Sequence, residues 1–174
     1  MIILIGVSLQ TNAQNLLSVG AGYFGETGVY PGVVFELEYE QLRSEGLSTI
    51  SRANVGYYAH PRSHAALFTD IHQGLRRSFS SGIILESSVG IGVLFSYYNE
   101  EVYKLAESGE FAETSRIAKP DLMPSITVGI AYDFSGDLEH RRMVWLRPKM
   151  FWQYPYNSLA FPHLSLQIGY SHTF

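Results

Sequence analysis

Apolar and polar residues alternate through most of this chain, and short stretches rich in Gly, Pro, Ser and charge interrupt the alternation. A period of two is the signature of a strand with two unlike faces, because successive side chains point to opposite sides. Eight segments follow it: Asn15 to Gly25, Val33 to Leu42, Leu47 to Ala59, Ala65 to Phe79, Ile83 to Tyr98, Leu122 to Phe134, Met143 to Tyr154 and Leu164 to Phe174. The fifth is the clearest internal one, with Ile83, Leu85, Val89, Ile91, Val93, Phe95 and Tyr97 opposed to Glu86, Ser88, Gly90, Gly92 and Ser96. In the seventh, Pro148 withdraws a ladder donor and predicts a bulge. Between Asn99 and Asp121 the period of two gives way to a Glu-rich run, read as a loop with room for a short helix. The fold class these patterns predict is all-β: an antiparallel up-and-down transmembrane β-barrel of about eight strands.

The two faces say which side is lipid. One collects Glu36, Glu38, Glu40, Arg52, Asp70, His72, Arg76, Glu86, Asp133, Arg147 and Lys149. Facing hydrocarbon, each mid-bilayer Arg or Lys would cost roughly 2 to 4 kcal/mol. Inside a narrow tube, opposite charges pair across the lumen, so these residues are expected to form a charge network in a filled polar interior with no wide channel. Gly20, Gly22, Gly56, Gly74, Gly90, Gly92, Gly129 and Gly169 share that inward face, which points to crowding by large groups such as Arg76, Arg147 and Tyr58, or to barrel curvature.

Loop lengths and aromatics orient the barrel. Connections after the second, fourth and sixth strands are mostly short, whereas the long Glu-rich loop follows the fifth. Outer-membrane barrels have short periplasmic turns and longer external loops, so both termini are expected on the periplasmic side. Tyr23, Tyr57, Tyr97 and Trp152 then approach outer strand ends, while Tyr39, Phe79, Phe134 and Phe174 approach periplasmic ends, as two aromatic girdles would.

Composition narrows the class. With 174 residues, 46% of them hydrophobic, the chain is one domain with a real interior. A net charge of −4 without a basic stripe argues against nucleic acid as a partner. The absence of cysteine rules out disulfides, thiolate metal sites and a cysteine nucleophile, and leaves the compartment unstated. No apolar run reaches the roughly 18 residues of a transmembrane helix, but a barrel needs only alternate residues in lipid. Residues 1–14, "MIILIGVSLQTNAQ", resemble the latter part of a secretory signal peptide with cleavage near Ala13 or Gln14. They lack a cationic start, so a truncated leader and a first strand over Ile2 to Val7 both stay open; residues 15–174 are the barrel.

The tail, "HLSLQIGYSHTF", resembles the terminal strand of outer-membrane β-barrel proteins, which ends in Phe with apolar or aromatic residues at alternate positions. Leu166, Ile168, Tyr170 and Phe174 match, while His172 stands where an aromatic or aliphatic residue is more usual. The resemblance implies that the barrel-assembly machinery reads this strand. From Asn15 to Phe174 the layout is similar to that of small eight-stranded barrels of the OmpA transmembrane-domain and OmpX kind. It implies a monomer in the bacterial outer membrane, in contact with lipid and lipopolysaccharide, without cofactors.

Candidate chemistry is sparse. His163 and Ser165 share a strand face, and His-x-Ser is similar to the catalytic pair of outer-membrane lipid A deacylases, in which His activates Ser. Those enzymes carry Asn after the Ser, here Leu166, and no acid follows Glu139, so Glu86 or Asp133 would have to orient His163. His60 and His64 in "HPRSH" read as exposed loop residues rather than metal ligands, because no carboxylate stands nearby in the sequence. Glu36, Glu38 and Glu40 are spaced too widely along a strand to ligate one ion and are expected to pair with Arg52, Arg76, Arg147 and Lys149. Glu100, Glu101, Glu107, Glu110 and Glu113 read as a solvated loop surface. The expected function is therefore a non-enzymatic outer-membrane barrel with a structural or surface-interaction role through its outer loops. The alternatives are an outer-membrane lipid A-modifying acyl hydrolase and a soluble lipocalin-like ligand-binding barrel.

Overall fold

The computed structural model describes residues 15–27, 30–60, 64–98, 102–105, 111–114, 120–156 and 159–174. The expected leader, residues 1–14, lies outside them. Long strands β1 (Asn15–Glu26), β2 (Tyr30–Ser44), β3 (Leu47–Ala59), β4 (His64–Ser78) and β5 (Ile83–Tyr98) follow one another as antiparallel neighbours. After the long connection come β8 (Asp121–Leu122) and β9 (Ser125–Asp133), then β10 (Arg142–Tyr156) and β11 (Leu159–Thr173). β8 and β9 form one stave, broken at Met123 and Pro124 yet still tied to its neighbours: Met123 N donates to Gly92 O at 2.8 Å and Trp152 N to Pro124 O at 3.0 Å.

β11 returns to β1 over nine registered pairs, from Ser18↔Thr173 to Glu26↔Ser165, and closes the ring. Phe174 N also donates to Leu17 O, at 2.9 Å. The registered path Leu16, Glu40, Ile50, Gly74, Ser88, Thr127, Lys149, Ser165 and Glu26 circles the barrel once and lands ten residues beyond its start. Eight staves with this stagger tilt by roughly 40° and enclose a lumen only wide enough for side chains.

The alternation seen in the sequence becomes an inside and an outside. On β2, Val34, Glu36, Glu38 and Glu40 are buried, whereas Val33, Phe35, Leu37 and Tyr39, which alternate with them, are exposed. The apolar face is the outer one, which overturns the lipocalin-like reading, since that needs apolar residues inward. Among the described residues no helix is long and apolar enough to cross a membrane, a statement that leaves β-barrels untouched.

Two local expectations are corrected. Pro148 stays in register with Leu166 of β11; the ladder to β9 lapses across Arg147 and Pro148, where the ring supplies no donor, and resumes unshifted at Lys149↔Thr127. The β10/β11 register shift falls instead between Gln153 and Tyr156. In the Glu-rich stretch, β6 (Val102–Leu105) and β7 (Phe111–Thr114) pair as an antiparallel hairpin where a loop with room for a short helix was expected. Val102, Tyr103, Phe111 and Thr114 favour strands, which outweighs the surrounding glutamates. Glu100, Glu101, Glu107 and Glu110 lie outside the described residues, and Glu113 falls in β7.

The seam between the first and last strands is built around a close approach. Gly22 and Gly169 are registered partners, and Trp145 of β10 is registered with Gly169. A Cβ on Gly169 would meet Trp145 Cζ2 at 2.3 Å and the backbone oxygen of Ala21 at 2.5 Å, and one on Gly22 would meet Trp145 Cη2 at 2.6 Å. The indole thus lies in a slot that two glycines leave open. Gly169→Val should destabilise the closed barrel by about 1 to 3 kcal/mol through overpacking. The check is a lower urea midpoint of the detergent-folded protein, with Ser87→Val on the outer face as a control that leaves the midpoint in place.

Candidate functional site

The inward residues of each strand form layers. From the end with the short hairpins, β4 places Arg76, His72, Asp70 and Phe68 inward, and β10 places Trp145, Arg147, Lys149 and Phe151. Leu16, Ile50, Ile84 and Met143 are inward apolar residues near the hairpin end. Charged groups lie among and above them, with Glu40 registered beside both Leu16 and Ile50 and Arg141 nearer the hairpin than Met143, and aromatic rings close the lumen toward the loop end.

The charged layer contains five carboxylates, Glu36, Glu38, Glu40, Asp70 and Glu86, against five cations, Arg52, Arg76, Arg141, Arg147 and Lys149, all buried. Glu86 is its hub: Oε1 accepts from Arg52 Nη2 at 2.9 Å and from Arg147 Nε, and Oε2 accepts from Arg76 Nη2 at 2.8 Å. Glu38 Oε2 accepts two charge-assisted bonds from Arg52, from Nε at 2.9 Å and Nη2 at 2.6 Å, while its Oε1 lies 2.7 Å from Arg76 Nη1. Glu40 joins Arg76 at 2.5 Å, Arg141 at 2.8 Å and the Ser48 hydroxyl at 2.6 Å, and Glu36 accepts from Arg147. Closer to the loop end, Asp70 takes Lys149 Nζ on one oxygen, and Asn54 at 2.7 Å and His72 at 3.2 Å on the other. Removing so many charges from water is unfavourable unless every one is paired, and here the signs balance.

The lumen is not polar throughout, which corrects the expected all-polar filling. Phe24 packs on Tyr58, Phe68 and Phe151 with ring centroids 5.5, 4.8 and 6.4 Å apart. Lys149 Nζ lies 5.0 Å from the Phe68 ring centre, joining the charged layer to the aromatic one. Trp145 provides a second such joint, with the Arg147 guanidinium 4.1 Å over its ring. The sequence already placed Tyr58 inward, but the same alternation carries both aromatic and charged inward residues, so it did not show that the rings gather into a layer of their own.

Above the aromatics, the mouth gathers groups that are distant in sequence. His163 Nδ1 is 3.0 Å from Glu26 Oε1, and its ring stacks on Phe151 at 4.8 Å. His60 packs against Tyr30 at 3.8 Å and stacks with His64 at 5.8 Å. These two histidines were expected in an exposed loop. Strand pairing instead continues through Ala59↔Ala65 and His60 N to His64 O at 2.7 Å, so both fall on inward positions and are half-buried. Gln153 donates to Asp121 Oδ2 at 2.5 Å in the same region. Among the described residues no group of three ligand-type side chains is placed to hold a metal ion.

The proposed catalytic pair is placed as follows. His163 and Ser165 share the inward face of β11, but the acid on His163 is Glu26, not Glu86 or Asp133. Ser165 Oγ donates to Lys149 O at 3.4 Å. Asp133, expected in the charge network, is half-buried at the hairpin end, where its Oδ1 accepts from Ser135 N and Oγ at 2.9 and 2.6 Å and its Oδ2 lies 3.5 Å from Arg141 Nε. Arg141 was missed because "HRR" reads as turn; carrying the period of two of β10 back past Met143 separates the buried Arg141 from the exposed Arg142. Tyr23, Tyr57 and Tyr97 are exposed toward the loop end and Trp152 is half-buried there; Tyr39, Phe79, Phe134 and Phe174 are exposed toward the hairpin end. Leu166, Ile168 and Tyr170 point outward on the closing strand.

No protein-family model matches the chain, and no curated protein matches its sequence. Solved structures do resemble it. Neisserial surface protein A superposes with a TM-score of 0.55 at 9% identity, covering 94% of this chain and 98% of that one. The attachment invasion locus protein of Yersinia pestis gives 0.53 at 10% identity, over 94% and 100% of the two chains, in a complex with the heparin analogue sucrose octasulfate. At these identities the likeness is one of fold: the chain has the architecture of small outer-membrane β-barrels.

Glu86→Ala should leave three buried guanidiniums short of a partner and cost about 3 to 5 kcal/mol, read as a lower urea midpoint in detergent. Glu86→Gln combined with Arg147→Gln should cost less than the sum of the two single changes. Strict additivity would show that the two groups are not coupled.

Proposed function

We propose that this chain is an integral barrel of the bacterial outer membrane, with its termini and short hairpins on the periplasmic side and its loop end outside. It acts without catalysis, as a structural or surface-interaction protein. The observation that carries this reading is the filled lumen: a balanced charge network under an aromatic layer leaves the outward apolar wall and the loop end as the surfaces open to a partner. The wall suits lipid, with Phe35, Ile71, Val89 and Leu164 each 60 to 63% exposed. The aromatics at its two edges suit the interfaces with water, and the outward tail residues with Phe174 suit recognition during assembly.

The acyl-hydrolase reading has one observation in its favour, the Glu26 carboxylate on His163. Against it, the Ser165 hydroxyl is buried and engaged with a backbone carbonyl.

The test begins with membrane fractionation and a gel of boiled against unboiled samples. The protein should stay with outer membranes and shift on heating, and recovery as a soluble monomer would overturn the reading. In planar bilayers the folded protein should give no conductance steps. His163→Ala should leave lipid A acylation unchanged when the protein is expressed in a host whose lipid A is profiled by mass spectrometry; an acyl chain lost with the parent and retained with the variant would favour the hydrolase.

A further inference from the structure

The outward face of the barrel is apolar on most staves, with Val19, Leu37, Val128 and Ile168 exposed along their strands. One region departs from this. On β3 and β4, Ser51 and Gln73 are exposed, registered cross-strand partners, flanked along β4 by Ile71 and Leu75. Ser51 Oγ donates to Gln73 Oε1 at 2.7 Å. Ser87, a diagonal neighbour on β5, is exposed as well. Among the described residues nothing accepts from the Gln73 amide nitrogen. In water this would need no comment, but in hydrocarbon an amide with idle donors is unfavourable.

The same place is concave. Ser51 and Ala53 are short and form the floor of a shallow groove between Leu37 and Tyr39 on one side and Ile71 and Val89 on the other. We propose that this face of β3 and β4 is the contact between two copies of the barrel in the membrane. The inference rests on the outer wall facing lipid, as proposed above.

The chemistry selects a second copy over other occupants. An acyl chain fills a groove but offers no acceptor to Gln73, and a headgroup does not reach mid-wall. A primary amide is both donor and acceptor, and the Gln73 oxygen keeps a second lone pair beyond the one Ser51 uses. Two Gln73 side chains across a two-fold axis therefore satisfy each other reciprocally, as an isologous interface requires. The ridge of Ile71 and Val89 on one copy meets the groove over Ser51 and Ala53 on the other, small residues allowing close approach as they do between membrane helices. A closed barrel has no free strand edge, so pairing has to use such a face. This departs from the monomer that the layout suggested.

The absence of cysteine makes the test clean, because the introduced thiols are the only ones. Ala53→Cys combined with Val89→Cys in one chain, which keeps Gln73, and, on the far wall, Val144→Cys are oxidised in native membranes, with the heat shift confirming that each barrel is folded. Disulfide-linked dimers should form between position 53 of one copy and 89 of the other and not at 144. In a parallel measurement, Gln73→Leu should weaken self-association in detergent about tenfold, from two reciprocal side-chain bonds of modest strength. Heat-shifted barrels that cross-link no faster through the 53 and 89 pair than at 144, that link instead to a different protein, or that self-associate equally with Leu at 73 would overturn the dimer. Loss of the heat shift in the parent chain would instead overturn the membrane reading on which it rests.

Discussion

The width of the tube governs everything placed inside it. Eight strands staggered by ten residues leave a lumen that side chains fill, so each inward residue is chosen against the ones facing it across the barrel. Large groups face small ones: Trp145 lies over Gly22 and Gly169, Phe68 over Gly56, and His72 over Gly90. The outer wall has no such limit and, away from Ser51, Gln73 and Ser87, is largely apolar.

Charge in this confined space behaves as a unit. Glu86 reaches three arginines and Glu40 reaches two, so no carboxylate belongs to one partner. Such shared pairing contributes less to net stability than its number of bonds suggests, since desolvation offsets much of the attraction. Its larger effect is on specificity, because a shift of one strand would leave several buried charges unmatched. The aromatic layer above excludes water from the network on the loop side, which strengthens each pairing.

Much of this was legible in the sequence. Alternation alone placed eight staves within a few residues, and put Glu36, Arg52, Asp70, Arg76 and Lys149 on the face that is buried. What stayed hidden depends on height in the barrel and on contacts between distant staves. The period of two says that Tyr58 and Phe151 point inward, but not that strand tilt brings them to the level of Phe24. Glu26 and His163 stand 137 positions apart, and only closure brings them together. Arg141 stands just before β10 in a run whose composition reads as turn, which masked that it continues the inward series of Met143, Trp145 and Arg147. Pro148 was overread, because an absent donor interrupts a ladder without forcing an extra residue into it.

Trp145 has one more consequence. Alternation fixes which face of β11 is inward, yet a slip of two residues preserves that choice, so pattern alone leaves several alignments of the last strand equally acceptable. The indole distinguishes them. Moved by two, it would stand opposite Gln167 or Ser171 instead of Gly169, with no slot to enter. The side chain works as the bit of a key: it belongs to the penultimate strand, passes the last, and reaches the first, so the ring locks in a single alignment.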